Sequence, residues 1–361
     1  MLVETEDSLY EFFIKTLQIE VTGVCNLKCK HCRAYYDPTD HINLDLIKKL
    51  FCFIDHNEKV NVTISGGEPF LHPKIIDILK FVSSQNIGIL VITTNGYHIK
   101  DRVIDEILDF NYKNIVFQIS LDSCNEDTHN KFRGNKNSFK NSLESIKKLT
   151  NKGFFVSTRT TLIPDTIMEK ERIIDLVTSY GAKRVSFGTV VPSGNAASCA
   201  KNIFVTSAHK KKHFDEFFRL KEKYVGIEIE TEDPLKVIHE KSSWKNIDND
   251  FINNVDCYIG GCDAGIGQLN IYSNGDITPC ALFNKKILNL NEHSIEEARK
   301  IYCESDVIRS LILRDFSNSC KNCSLFKSCG GGCRAIPYGI NGDYKGFDHT
   351  CYKSIIPLSV I

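Results

Sequence analysis

Cys25, Cys29 and Cys32 lie within the stretch "CNLKCKHC" at residues 25–32, so three thiols share one short segment at C-x3-C-x2-C spacing. Thiolates placed this closely are ligands for zinc or for iron-sulfur clusters. A structural zinc site takes four protein ligands, commonly from two short-spaced pairs, and the lone triplet meets neither condition. An iron-sulfur cluster with one iron left free meets both, and the open iron is then a place for a cofactor or substrate. Polar motifs follow in the same half of the chain. "SGGEP" at residues 65–69 pairs glycines, which let a backbone approach a ligand closely, with Glu68, which can offset an ammonium charge; a strand-ending turn would use the same residues. "TTNG" at residues 93–96 and "SLDS" at 120–123 add Thr94, Asn95, Ser120 and Asp122. Turn chemistry competes here too, since Asn-Gly is a common turn pair and an aspartate often caps a helix.

These groups need a frame, and a repeating one surrounds them. From Thr16 onward six β-rich runs occur: "TLQIEVT", "VNVTIS", "GILVITT", "NIVFQISL", "FFVSTRTTL" and "RVSFGTV". Amphipathic stretches alternate with them, such as residues 43–57, where Leu44, Ile47, Phe51 and Ile54 recur at helical spacing, and residues 138–151 and 166–180. Repeated βα units with near-continuous apolar strands predict an α/β fold of parallel strands buried on both faces, curled into a barrel or a doubly wound sheet. Function then gathers at the C-terminal strand ends, where the triplet and the polar motifs all fall. After a basic helix candidate near residues 207–223, the polar "EKSSWKNIDNDFINN" predicts a bridge. "QLNIYSNGDITPCALF" predicts a hairpin turning at Asn274-Gly275, and loops rich in cysteine follow.

The 361 residues suit two units. Lys plus Arg balances Asp plus Glu at 45 each, so no overall basic field favours nucleic acid or anionic lipid. Without an 18-residue apolar run, and with the acidic start "MLVETEDSLYEFF", the expectation is a soluble, cytoplasmic protein. Of 15 cysteines, nine run from Cys257 to Cys351. Secreted disulfide scaffolds are short and carry signal peptides, so this thiol density points to metal, which would also stabilise a segment poor in large apolar residues.

The triplet after the first strand, joined to "SGGEP" after the second, resembles the radical S-adenosylmethionine (SAM) superfamily. The resemblance implies a partial (β/α)6 TIM-like barrel in which Cys25, Cys29 and Cys32 bind a [4Fe-4S] cluster and SAM chelates its free iron. Reductive cleavage of SAM would give methionine and a 5′-deoxyadenosyl radical that abstracts hydrogen from substrate. His31, Gly66, Gly67, Glu68, Pro69, Thr94, Asn95, Ser120, Asp122 and Arg159 are the implied cofactor contacts, with Arg133 a weaker candidate. The tail pattern C262-x12-Gly275-x4-C280, C320-x2-C323-x5-C329-x3-C333 and Cys351 resembles the SPASM domain. That resemblance implies two auxiliary [4Fe-4S] clusters, making three in all. Cys262, Cys280 and Cys333 would bind one, with Cys257 as its fourth ligand, and Cys320, Cys323, Cys329 and Cys351 the other. Cys257 as a buried thiol or hydrogen donor, and zinc in the tail, are the rival readings. The implied divisions are an N-terminal extension (1–15), barrel (16–225), bridge (226–256) and SPASM domain (257–361). Cys52 fits core packing; Cys124 and Cys199 follow strand ends and are candidate hydrogen donors.

Relatives with such a tail crosslink or epimerise ribosomal peptides, oxidise sulfatases to formylglycine, or work on tetrapyrroles. Only about 15 residues precede the first strand, which predicts no fused leader-binding domain and leaves room for a separate leader-binding protein. The sulfatase-maturing branch reads "CFY" and "QGGEP" where this chain has "CRAYY" and "SGGEP", and Asn195 in "VVPSGNA" stands where relatives often have arginine. The expectation is a peptide maturase, crosslinking ahead of epimerisation, with flavodoxin or ferredoxin as electron donor. A metal-stapled peptide-binding or electron-transfer protein that needs no SAM is the non-enzyme alternative.

Overall fold

The computed structural model describes residues 1–5, 8–33, 39–54, 58–110, 112–199, 201–243 and 260–353. Six parallel strands form its centre: β3 (Thr16–Thr22), β4 (Val60–Gly66), β5 (Ile87–Thr94), β6 (Ile115–Ser120), β7 (Phe155–Leu162) and β8 (Arg184–Thr189). All six expected strands are present, and they pair in chain order without reversal, as in a barrel wall and unlike a doubly wound sheet. The crossovers carry α1 (Leu44–Ile54), α2 (Ile75–Ser83), α3 (Asp101–Leu108), α4 (Glu126–Arg133), α5 (Ser138–Asn151) and α6 (Lys170–Ser179).

Alternation along the strands sorts the residues by face. Leu17, Ile19 and Val21 of β3, Val62 and Ile64 of β4, and Leu90 and Ile92 of β5 share one core with Ile47 and Leu50 of α1 and Leu79 of α2. Each such side chain contributes roughly 1.5–3 kcal/mol on burial. The intervening positions are polar: Glu20 is register partner to Ser65, and Ser120, Arg159 and Ser186 align across β6, β7 and β8. Strands apolar on both faces were expected; this wall is apolar outside and largely polar inside.

The sheet does not stop at six strands. β9 (Glu228–Glu230) adds beside β8, inside the stretch read as bridge, and is followed by α8's neighbour α9 (Lys236–Ser243), α8 itself spanning Ser207–Lys223. At the other edge β10 (Gln268–Ile271) lies parallel to β3, and β11 (Asp276–Thr278) and β12 (Leu288–Asn289) continue antiparallel, giving ten strands among the described residues. The expected hairpin therefore extends the barrel wall. Leu269, Ile271, Phe283, Tyr302 and Ile308 of the tail belong to the same apolar core as the strands. The first 15 residues are not featureless, since β1 (Leu2–Glu4) pairs with β2 (Leu9–Glu11). Residues 244–256 of the predicted bridge, and Cys257, lie outside the described residues.

Candidate active site

The loop holding Cys25, Cys29 and Cys32 leaves the C-terminal end of β3 and is gripped from several sides. Gly67 N–H donates to Thr22 O and Glu68 N–H to Val24 O, at 2.6 and 2.8 Å. A Cβ on Gly67 would collide with Val24 O, and one on Gly66 would stand 2.5 Å from Thr22 O. The paired glycines therefore let two backbones approach each other; this differs from the expected approach to a ligand. On another side Lys30 N–H donates to Phe132 O (3.0 Å), and the His31 ring stacks on Phe132 at 4.2 Å. On a third, Asn195 N–H donates to Cys32 O (2.7 Å) and the Cys199 thiol to Lys30 O (3.0 Å). Asn195 and Ala196 open the one-turn α7 (Asn195–Ser198).

Buried charge surrounds this loop. Glu68 is fully buried and accepts from Thr94 Oγ1 (2.7 Å) and from the Asn95 amide (2.9 Å). Burial, only partly offset by those donors, pushes its carboxyl up to about 7. The Asn95 side-chain amide donates to Asn26 Oδ1 at 2.9 Å, tying the end of β5 to the cysteine loop. Asp122 is buried too, with Arg133 Nε at 2.6 Å and the Thr161 amide at 2.9 Å. Burial, the largest single influence, would raise the Asp122 carboxyl, but Arg133 together with His31 and His129 outweighs it and holds it down at about 2. Burial lowers His31 to about 4 against the pull of Asp122, so its imidazole is neutral near pH 7. Burial also raises Cys25 to about 11 and Cys29 to about 12. Both sulfurs already accept hydrogen bonds, Cys25 from the Leu27 amide (3.4 Å) and Cys29 from Arg133 (3.9 Å).

Other expected residues stand apart. Arg159 donates to Ser186 Oγ (2.7 Å) and faces Glu232 (3.5 Å), while Ser120 contributes its carbonyl to Ser142. The Cys124 thiol donates to Glu169 at 3.4 Å. Arg33 is the residue that motif reading missed. Beside Cys32, it pairs with the fully buried Glu20 and donates to Ser65 Oγ (3.1 Å) and to Ala281 O (3.4 Å), the residue after Cys280. A charged Glu20 inside "TLQIEVT" was its only sequence signal.

The tail cysteines fall into two groups. Cys333 feels the fields of Cys262 and Cys280, and Cys351 those of Cys329 and Cys323. Gly330, Gly331 and Gly332, with φ of 57°, 83° and 81°, turn the chain between Cys329 and Cys333, a left-handed run that side-chain-bearing residues resist. Among the described residues the cysteines are free thiols. No three His, Cys, Asp or Glu groups among them converge on a single-ion site.

Residues 19–177 match the family model "Radical SAM superfamily". This part of the chain is a radical SAM domain. The chain is 29% identical over 269 residues to the antilisterial bacteriocin subtilosin biosynthesis protein AlbA of Bacillus subtilis, covering 74% of this chain and 55% of that one, so it spans about half the length of that relative. It is 24% identical over 341 residues to the AdoMet-dependent heme synthase of Methanosarcina barkeri, covering 92% and 94%. Streptococcus suis SuiB, solved bound to precursor peptide SuiA, shares the fold at TM-score 0.73 and 19% identity over 94% of this chain and 76% of that one. The radical SAM domain marks the protein as an enzyme.

The residues of the radical SAM domain fit a thiolate-bound cluster. Backbone and guanidinium N–H donors already point at the Cys25 and Cys29 sulfurs, which suits thiolates carrying negative charge. The polar inner wall also departs from the branched aliphatic layers that fill an ordinary TIM barrel, and so suits a polar ligand. No helix among the described residues is long and apolar enough to cross a membrane.

Proposed function

We propose that this enzyme modifies a ribosomally made peptide, with crosslinking ahead of epimerisation, using one [4Fe-4S] cluster in the barrel (16–225) and two in the tail (257–361). The observation that carries the reading is the junction at Arg33. It locks the cysteine loop to the polar wall through Glu20 and Ser65 and to the Cys280 segment through Ala281, so both thiol groups serve one centre. The relationship to AlbA supports a peptide substrate.

Cys25, Cys29 and Cys32 would hold the SAM-binding cluster; Cys262, Cys280 and Cys333 with Cys257 the second; and Cys320, Cys323, Cys329 and Cys351 the third. Held by Cys25, Cys29 and Cys32 and supplied with an electron by a flavodoxin or ferredoxin, a cluster with bound SAM would supply a deoxyadenosyl radical able to take hydrogen from an unactivated carbon. Glu68, Thr94 and Asn95 form the polar wall beside the cysteine loop, and the Asp122–Arg133 pair fixes Cys29 and the neutral His31. Gly66 and Gly67 shape the loop, Pro69 starts the turn that follows, and Ser120 and Arg159 line the inner face. If the product is an epimer, Cys124 or Cys199 is the hydrogen donor. A cytoplasmic location and a separate leader-binding protein complete the reading.

A tetrapyrrole substrate is the second reading, favoured by the end-to-end match to the heme synthase. Anaerobic purification with iron, sulfide and zinc analysis, followed by reductant-dependent deoxyadenosine assay, tests the mechanism. About twelve irons per chain with deoxyadenosine formation are expected; zinc without iron and no SAM cleavage would overturn it. Mass spectrometry of a small peptide encoded beside the gene, treated in D2O and returned to H2O, then separates the readings, because a crosslink removes two hydrogens, an epimerisation leaves one carbon-bound deuterium from the exchanged thiol, and a tetrapyrrole enzyme leaves the peptide unchanged.

A further inference from the structure

Of the three loop thiols Cys29 alone is buried, and two segments enclose it. The loop itself is one of them. Lys28 and Lys30 are exposed while Cys29 between them is not, so the loop turns its sulfur inward and both lysines outward. The end of α4 is the other. Arg133 is buried and donates to the Cys29 sulfur at 3.9 Å, Phe132 is buried and stacks on His31, and Lys131 before them is exposed. The two segments touch through the Lys30 amide, which donates to Phe132 O at 3.0 Å, and through Gly134, where a Cβ would stand 2.7 Å from Lys28 O. Lys136 is exposed as well, and the chain around it folds back on the helix, since the Asn130 side chain donates to Lys136 O at 2.7 Å. Exposed lysines are thereby carried on the outer side of the two segments whose inner side meets Cys29. Among the described residues none of these four is in an ion pair, whereas Lys140 further along is paired with Glu144 at 3.9 Å. The chain as a whole balances 45 basic against 45 acidic residues, so this rim is a local excess and not part of a general field.

We propose that Lys28, Lys30, Lys131 and Lys136 form the docking rim for the protein that supplies the electron, a flavodoxin or ferredoxin with an acidic surface. The inference rests on the cluster reading above. A substrate has to reach the inner side of the loop, where the polar wall lies. An electron donor needs only a short path to the cluster, and through this rim that path is the thickness of one loop. Transient redox complexes are small and are steered by charge, so complementarity at the rim sets the rate of productive encounter. The step is a one-electron transfer: the donor is oxidised by one electron and the cluster on Cys25, Cys29 and Cys32 is reduced by one, with no bond made or broken.

The test follows cluster reduction by stopped-flow absorbance in the anaerobically purified holoenzyme, with a photoreduced acidic flavodoxin as donor and dithionite as a small control reductant. At low salt the variant carrying Lys131→Glu and Lys136→Glu is expected to accept electrons from flavodoxin about tenfold more slowly than wild type. High salt should slow the wild type and bring the two together. Adding Lys28→Glu and Lys30→Glu should deepen the loss. Dithionite, which needs no docking surface, should reduce all three proteins at similar rates. Flavodoxin-driven deoxyadenosine formation, which reports the barrel cluster alone, should fall in the same ratio as the reduction rate. Lys131 and Lys136 lie outside the cysteine loop, so the two-site variant decides the matter even where the four-site variant loses iron. Flavodoxin rates equal in wild type and the two-site variant, rates insensitive to salt, or a loss that dithionite shares overturns the proposal. A nucleic acid or an acidic peptide as the occupant of the rim gives the first of those results. Iron chromophores that dithionite reduces, with equal flavodoxin rates, bring down only this inference; the absence of any reducible iron chromophore brings down the cluster reading itself.

Discussion

Around Cys25, Cys29 and Cys32 the polypeptide does the holding: strand ends, Gly67, Phe132 and Asn195 grip the loop through backbone hydrogen bonds. Around the tail cysteines regular structure is scarce. Cys320 and Cys329 sit in the four-residue helices Asn318–Lys321 and Phe326–Cys329, and a run of left-handed glycines follows. If the proposed clusters are present, one site is a shape into which a cluster fits and the other would depend on metal for its shape. The difference predicts where each half fails.

Removing metal is the largest perturbation. Anaerobic chelation followed by hydrogen exchange should raise exchange in residues 320–333 by about 100-fold or more while strands β4 to β6 change by only a few-fold. Equal loss in both regions would break the comparison. Next in size is Arg133→Met, which leaves Asp122 buried without its cation and should cost about 3–5 kcal/mol in the barrel. Chemical denaturation of the metal-free protein measures it, and a cost under about 1 kcal/mol would show that the loop does not depend on that pair.

Glu68 gives the same contrast a pH dependence. Its folded carboxyl titrates at about 7 against an ordinary value of 4.5, so the folded state binds the proton more tightly. The associated stability is fully present below about 4.5 and is lost as pH rises to about 7, roughly 3 kcal/mol in all. Metal-free wild type should therefore lose thermal stability between pH 5 and 7.5, and Glu68→Gln should lose less. Parallel curves for the two proteins would remove the buried carboxyl from the account of the loop.

Much of this frame was legible beforehand because its signals are local. Six runs of β-branched residues became β3 to β8, and the periodicity over 138–151 became α5 over Ser138–Asn151. The missing parts depend on long-range meetings. Nothing in "CRAYY" shows that Arg33 meets Glu20, Ser65 and Ala281, and nothing in "HNKFRG" shows that Phe132 will support His31. Strands of three or four residues, such as β9 and β10, are too short to announce a period. That explains why a continuous ten-stranded sheet looked like a six-stranded one plus a separate hairpin.

The smallest effect sharpens the comparison within ordinary helices. Thr206 caps α8 and Ser294 caps the tail helix Ile295–Glu304, each through a reciprocal capping box. Alanine at either removes one bond to an otherwise unpaired amide and costs about 1 kcal/mol. The tail helix packs Tyr302 into the shared apolar core and bonds it to Gly265 O at 2.7 Å, so its stability is set by the barrel and not by the cysteines beyond it. Ser294→Ala should therefore cost the same with metal bound and after chelation. A cost that vanishes on chelation would move this helix to the metal-dependent side, and the boundary between the two regimes would then lie near β12, well before the cysteine-rich loops that begin at Cys320.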